Sequence, residues 1–430
     1  MIENLKERAI NAWNKAFSTG LLHIFGSSVI NKIIGFGSSI VLVRIVSKAE
    51  YGIYTYADNI LGFFTLATGL GVTSGILQLC SETKDLAHKR DIYRYGCGIG
   101  VLTNIIMAAL ILIIAMIVPL PIAGSNEILG MMCLLPLVNL LSDLQRTYLR
   151  TELRNKEFSY ANTFNTILVF LFSCTFAYLY KARGLVVAHY LAAICTFFFI
   201  IIVFNTPFGI RANGVVKDEK RQMLNISIIS MMNNGLSRLM YLLDIFVLGI
   251  FIKNDSAIAS YKIATIIPTA LLFIPSSIMM YAYPLFAMNR VNKKWVKSRY
   301  RKLTFYSGVL NCSIAIVLFA FAPLIITTVF KEQYLDALIP FRILSISFAF
   351  SSTFRIIAGN ILVTQRKLKF NLYIAVFSSL FNTVLNVFLI RGWGSTGAAI
   401  ATLITVVATS LINVWYLLHT INKIEPETII

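Results

Sequence analysis

Apolar residues in this chain come in repeated blocks of about twenty, the length that crosses roughly 30 Å of hydrocarbon as a helix. That pattern constrains the fold more than any other feature, because inside a bilayer each block must satisfy its own backbone polar groups. Only helices or a closed barrel do so, and blocks this long are helical. The blocks fall at about 20–43, 53–79, 96–118, 122–143, 159–180 and 184–205, and then at 223–251, 257–286, 303–329, 337–363, 371–390 and 395–418. A mean hydropathy of +0.75 with 13% charged residues over 430 positions agrees, since a water-soluble exterior needs more polar surface. The expected fold is an all-α polytopic membrane protein with twelve spans.

Loop charge sets the orientation. One alternating set of loops holds Lys84, Lys89, Arg90 and Arg94, then Arg146, Arg150, Arg154 and Lys156, then Arg211 to Arg221. It continues with Arg290 to Lys302 and Arg366 to Lys369, while the opposite set is nearly free of bases. The positive-inside rule places the basic set, and both termini, in the cytoplasm. This distribution also explains the net charge of +19 without nucleic acid as a partner. Six scattered cysteines without a CxxC pair read as small buried hydrophobes, and four scattered histidines do not form a metal motif. No cofactor is expected. Residues 1–19 lack a signal-peptide pattern; Leu5, Ala9, Trp13 and Phe17 share one face, which predicts a short helix lying on the membrane surface.

Five bases, Lys32, Arg238, Lys262, Arg342 and Arg355, lie within the apolar blocks. Each costs roughly 2.5–3.5 kcal/mol at the centre of a spanning helix, so five facing lipid would cost on the order of 12–17 kcal/mol. They must snorkel, pair or line a wet cavity. Only Asp58 and Asp244 lie at comparable depth, too few to pair them all. A cationic cavity for an anionic passenger follows. Lys32, Arg238 and Lys262 are the leading candidates for anion contact, Arg355 comes next, and Arg342, near a span end, is free to snorkel. Asp244 either titrates in an ion-coupled cycle or partners a base; Asp58 has the same options.

The two halves echo each other. Tyr51 in KAEYGIYTYA matches Tyr261 in IASYKIATII at an offset of 210, and Phe158 after RNKEF matches Phe370 after RKLKF at 212. Gly184 in GLVVAHYLAA matches Gly397 in GAAIATLITV at 213. Two six-helix lobes follow, 20–205 and 223–420, joined by a cytoplasmic linker at 206–222 and ending in a tail at 421–430. An even number of spans per half implies parallel repeats about a pseudo-two-fold along the membrane normal. Pro268, Pro275 and Pro284 mark the eighth span as a bending or kinked element.

The run LVRIVSKAEYGIYTYA after a Gly/Ser-rich first span, with Arg238 and Asp244 leading into AIASYKIAT, resembles Wzx-type polysaccharide flippases of the multidrug/oligosaccharidyl-lipid/polysaccharide exporter superfamily. The resemblance implies a non-enzymatic flippase in the bacterial inner membrane. Its substrate would be an undecaprenyl-diphosphate-linked oligosaccharide, an O-antigen or related unit, passing by alternating access through a cationic cavity. A polysaccharide polymerase and a chain-length regulator are the implied partners, beside the lipid-linked substrate and membrane lipid. Arg and Lys suit a diphosphate through charge-assisted hydrogen bonds. A drug or metabolite exporter of the same superfamily would be expected to hold more intramembrane carboxylates. A polymerase or ligase would need a larger outer platform than these short loops, and no GxxxxGK[ST] loop for ATP occurs.

Overall fold

The computed structural model describes residues 21–83, 85–210 and 214–424. The surface helix expected over 1–19 and most of the tail lie outside these. The described chain is helical, without a strand. Eight helices among the described residues are long and apolar enough to cross a membrane, or nine if one bent pair counts as a span. The chain divides into two compact units, Met1–Gly235 and Leu236–Ile430.

In the first unit, α1 (Leu21–Ile45) leads to α2 (Lys48–Thr65), whose start is capped by Ser47 Oγ accepting from Glu50 N at 3.3 Å. The block at 53–79 is not continuous. It bends by 41° between α2 and α3 (Val72–Glu82), where Gly69, Leu70 and Gly71 all have positive φ. A Cβ on Gly71 would stand 2.4 Å from Ser227 O, so both the backbone conformation and the close approach require glycine. Asn104, on α4 (Leu86–Ile117), stabilises the bend: its Oδ1 accepts from Gly69 N at 2.8 Å, and its Nδ2 donates to Pro136 O at 2.9 Å. After the short α5 (Ser125–Met131) and α6 (Leu135–Thr151) comes α7 (Asn155–Phe204). At 50 residues α7 is about 75 Å long if straight, far beyond one crossing. It turns back at Lys181 (φ 53°, ψ −129°), which falls in the gap expected between the spans ending at 180 and starting at 184.

Ile76, Ile92, Tyr93, Leu140 and Leu144 form the apolar core of this unit, completed by Met223 from the start of α8 (Lys217–Ile252). Beneath it, Lys89 Nζ donates to Glu152 Oε1 at 2.9 Å, and His88 Nε2 lies 2.7 Å from Glu219 Oε1. The hydrogen bond from His88 holds the Glu219 carboxyl below the usual carboxylate range.

In the second unit the end of α8 runs into α9 (Asp255–Ala270), capped by Asn254 Oδ1, and α10 (Phe273–Met288). The proline-marked block is thus two helices, broken two residues after Pro268, and Pro275 lies in the first turn of α10. Next come α11 (Lys293–Ala320) and α12 (Leu338–Phe350). One π-helical turn at Ser351–Arg355 joins α12 to α13 (Ile356–Thr364), and α14 (Leu368–Asn422) closes the unit. Like α7, the 55-residue α14 doubles back, at Gly394 (φ 53°, ψ −130°). Phe286, Val296, Ile357, Ile361, Leu417 and Ile421 form an apolar cluster at the basic-loop end.

The internal echo has a structural meaning at one pair of positions. Gly184 follows the Lys181 break by three residues, and Gly397 follows the Gly394 break by three. A Cβ at Gly184 would meet Phe176 O at 1.9 Å, and one at Gly397 would meet Leu389 O at 2.2 Å. In both units the returning helix packs so closely on the carbonyl eight residues earlier that only glycine fits.

The cysteines are all free, but they do not share one environment: Cys80 and Cys97 are buried, three are half-buried and Cys312 is exposed. The expectation of small buried hydrophobes therefore fails at Cys312, which lies on the outward face of α11.

Candidate functional site

Asp244 is the one acidic side chain of the described spans that is buried, with 3% of its surface exposed. It lies on the last third of α8, and three donors converge on it from three other segments of the second unit. Tyr261 Oη on α9 donates to Oδ2 at 3.0 Å, and Thr402 Oγ1 from the returning half of α14 donates to the same oxygen at 2.8 Å. Asn386 Nδ2, from the first half of α14, donates to Oδ1 at 2.7 Å and also contacts Asn382 Oδ1 at 2.9 Å. The break at Gly394 lets one helix supply donors to both carboxylate oxygens: residues 386 and 402 lie at similar distances on either side of it.

All three donors are neutral. An ion pair with a base, one of the two roles open to Asp244 from sequence, is therefore not formed among the described residues. The carboxyl group is instead held by three hydrogen bonds, the arrangement that tolerates a buried single charge. Two buried polar atoms beside it, Asn386 Oδ1 and Asn382 Nδ2, find no partner among the described residues. A cavity of about 50 Å³ adjoins the group, lined by Asp244, Tyr261, Thr265, Ser347, Ser351 and Thr402 among others. It is large enough for a water or a dehydrated monovalent ion. One carboxylate amid hydroxyl and amide oxygens suits a single positive charge; divalent sites collect several carboxylates.

The bases read from sequence are placed less uniformly. Lys32 on α1 and Arg238 on α8 are exposed, while Lys262 on α9 and Arg355 in the π-helical turn are half-buried. Arg342, also half-buried, donates through Nε to Phe319 O at 3.2 Å and covers the Phe319 ring at 5.1 Å, so its stem and head are packed near the span end. Arg238, Lys262 and Arg355 belong to the second unit and Lys32 to the first. Asp58 on α2 is exposed, so it lacks the enclosure around Asp244.

Sequence reasoning found Asp244 but missed Asn386, Asn382 and Thr402, and read Tyr261 only as a repeat marker. A usable signal was present: Asn382 and Asn386 are one helical turn apart in an otherwise apolar block, a pattern that places two amides on one inward face.

A family profile described as "Polysaccharide biosynthesis protein" matches residues 41–339. Among solved structures, the chain is similar to the lipid II flippase MurJ in an inward closed conformation, with a TM-score of 0.74 at 14% identity, covering 93% of this chain and 89% of that one. It is similar to a multidrug resistance MATE family transporter of the MOP superfamily in an inward-facing conformation, with a TM-score of 0.73 at 12% identity over 93% and 96% of the two chains. A MOP superfamily transporter from Pyrococcus furiosus, described as having a binding pocket of reversed polarity, gives 0.61 at 13% identity over 95% and 96%. No curated protein matches. The sequence match spans well over half of the chain and the shared fold spans nearly all of it: the chain belongs to the polysaccharide biosynthesis protein family, on the fold of the MOP superfamily.

Proposed function

We propose that the protein is a flippase that carries a polyprenyl-diphosphate-linked oligosaccharide, of the O-antigen or a related surface-polysaccharide class, across the bacterial inner membrane. A diphosphate cannot enter hydrocarbon bare, and the intramembrane bases Lys32, Arg238, Lys262 and Arg355 supply the counter-charge. Twelve crossings in two six-helix lobes, with both termini cytoplasmic, form the frame for alternating access. No step in this reaction makes or breaks a covalent bond, so the protein acts as a transporter rather than an enzyme. A polymerase and a chain-length regulator are the partners that would take the product.

The observation that carries the reading is Asp244. A membrane bundle tolerates a buried, triply hydrogen-bonded carboxylate beside a small cavity when that charge has work to do. We assign it the binding of one monovalent cation, a proton or an alkali ion, whose downhill movement drives the lobes between states. A cation that binds one state more tightly shifts the equilibrium by that difference in affinity.

The test is translocation of an undecaprenyl-diphosphate oligosaccharide in proteoliposomes, comparing the wild type with Arg238→Ala. Transport by the wild type that collapses in a folded Arg238→Ala protein supports the reading. A wild type that exports an organic cation and moves no such lipid would make it a drug exporter of the same superfamily.

A further inference from the structure

The Asp244 cavity does not end at Thr402. Where α12, the π-helical turn and α14 pack together, the contact is lined with hydroxyls and amides in place of the usual apolar residues. Ser347, Ser351 and Ser352 lie on one side, and Thr402, Thr405, Thr409, Ser410 and Asn413 on the other. Two long contacts set the register: Ser410 Oγ to Phe350 O at 3.5 Å, and Asn413 Nδ2 to Arg355 O at 3.5 Å. Ser352 therefore sits between these two levels. From Thr402 to Asn413 the row extends eleven residues, about 16 Å along the helix.

Three atoms of the row are buried without a partner among the described residues: Ser352 Oγ, Thr405 Oγ1 and Asn413 Oδ1. A fourth, Asn311 Oδ1, is on α11, beside the bond from Asn311 Nδ2 to Thr353 Oγ1 at 3.3 Å. Buried polar groups are almost always hydrogen-bonded, and leaving one unpaired costs about 1–3 kcal/mol. Several along one seam, starting at the Asp244 cavity, point to waters that bridge the protein groups. The π-helical turn contributes directly: its wider winding leaves Ser351, Ser352 and Thr353 buried in succession, and such turns collect at functional sites. Helix packing through small residues does not account for the seam, because Asn413 and Thr405 present polar atoms that such packing would pair or omit.

We propose that this seam is a water-filled proton path, internal to the second unit, that runs from Asp244 to the level of the Arg355 carbonyl. It rests on the assignment of Asp244 as the cation site and gives that site its ion and its route. The ionisable groups at the Asp244 end are the carboxylate and Tyr261; at the far end is Arg355; the side chains between them are neutral. A proton moving along bridging waters need only reach the carboxylate, which becomes the neutral acid. An alkali ion would have to shed most of its hydration to pass between helices packed this closely, whereas a proton is relayed from one bridging water to the next. Past Arg355, Ile357, Ile361, Leu417 and Ile421 seal the seam from the basic-loop face in this state.

Water in the seam is tested by silver-ion reactivity of single cysteines in a cysteine-free background, since Ag⁺ reaches only hydrated thiols. The unreacted fraction is counted with a maleimide after unfolding. Ser352→Cys and Asn413→Cys should react, and Leu417→Cys, in the apolar cluster of the same helix, should not. Reactivity should persist when Asp244→Asn is added, which separates the seam from the ion assignment. Thiols at 352 and 413 as inert as that at 417 would overturn the proposal. Delivery is tested by Thr405→Val, which keeps the shape and removes a hydroxyl with no partner among the described residues. A packing role predicts unchanged transport, whereas a proton path predicts translocation under a pH gradient slowed on the order of tenfold. An unchanged rate in this variant would also refute the path, while loss of ion dependence in Asp244→Asn alone would leave the site standing without it.

Discussion

Removing the Asp244 charge and removing its hydrogen-bond acceptors should have separable effects. In Asp244→Leu, Tyr261 Oη, Thr402 Oγ1 and Asn386 Nδ2 lose their shared acceptor in a site with almost no solvent exposure. At about 1–3 kcal/mol for each buried donor left unpaired, the two hydroxyls together cost roughly 2–6 kcal/mol before relaxation, while Asn386 Nδ2 keeps its bond to Asn382 Oδ1. Asp244→Asn should behave differently. Its carbonyl can take the place of Oδ2 and keep both hydroxyl donors. Its amide then faces Asn386, whose Oδ1 has no partner among the described residues and becomes the acceptor once Asn386 and Asn382 flip together, so that Asn382 Nδ2 donates in place of Asn386 Nδ2. The amide variant should therefore lie within about 1 kcal/mol of the wild type. Thermal unfolding of the purified protein in detergent, followed by a thiol- or tryptophan-based signal, distinguishes them. The leucine variant should melt far below the wild type and the asparagine variant close to it. If added Na⁺ or a change of pH shifts the wild type, the asparagine variant should not follow. Equal destabilisation of both variants, or none in either, would refute the reasoning.

Other consequences follow from the packing. Gly184→Ala and Gly397→Ala should each sharply reduce the folded yield seen by size-exclusion chromatography, because a Cβ at 1.9 or 2.2 Å from a carbonyl forces the hairpin apart. Gly392→Ala, with open space around it, should be tolerated. Asn104→Leu leaves Gly69 N unpaired at the bend, a loss of roughly 1–3 kcal/mol that a melting curve would register. The depressed Glu219 carboxyl gives a pH signature. Its contact with His88 contributes above the ordinary carboxylate pKa and is lost as pH falls through the lower folded value. Glu219→Gln should accordingly melt below the wild type at neutral pH and match it in acid.

How much of this was legible in the chain depends on the distance over which the information is stored. The apolar blocks are local, and the breaks at Lys181 and Gly394 fall where the blocks part. Gly184 and Gly397 could be seen as an echo, but only the backbone approach says why both are glycine. The bend at 66–71 was missed because hydropathy runs smoothly across it, although Gly69 and Gly71 two residues apart are a turn signal in hindsight. The π-helical turn leaves no period of its own in the sequence and was read through. At the site, a lone aspartate in an apolar block is conspicuous, whereas its donors come from positions 261, 386 and 402 and are brought together only by folding. The bases are the reverse case. Their cost is plain from composition, while the contacts that relieve it, such as Arg342 over Phe319, depend on side-chain packing that no spacing rule encodes.

Gradient-driven translocation by the wild type and by Asp244→Asn, in the same proteoliposomes and with the same diphosphate-linked oligosaccharide, tests the central claim most directly. Coupling through Asp244 predicts that an imposed cation gradient accelerates the wild type and leaves the variant at its gradient-free rate. A variant that responds to the gradient as fully as the wild type would contradict it.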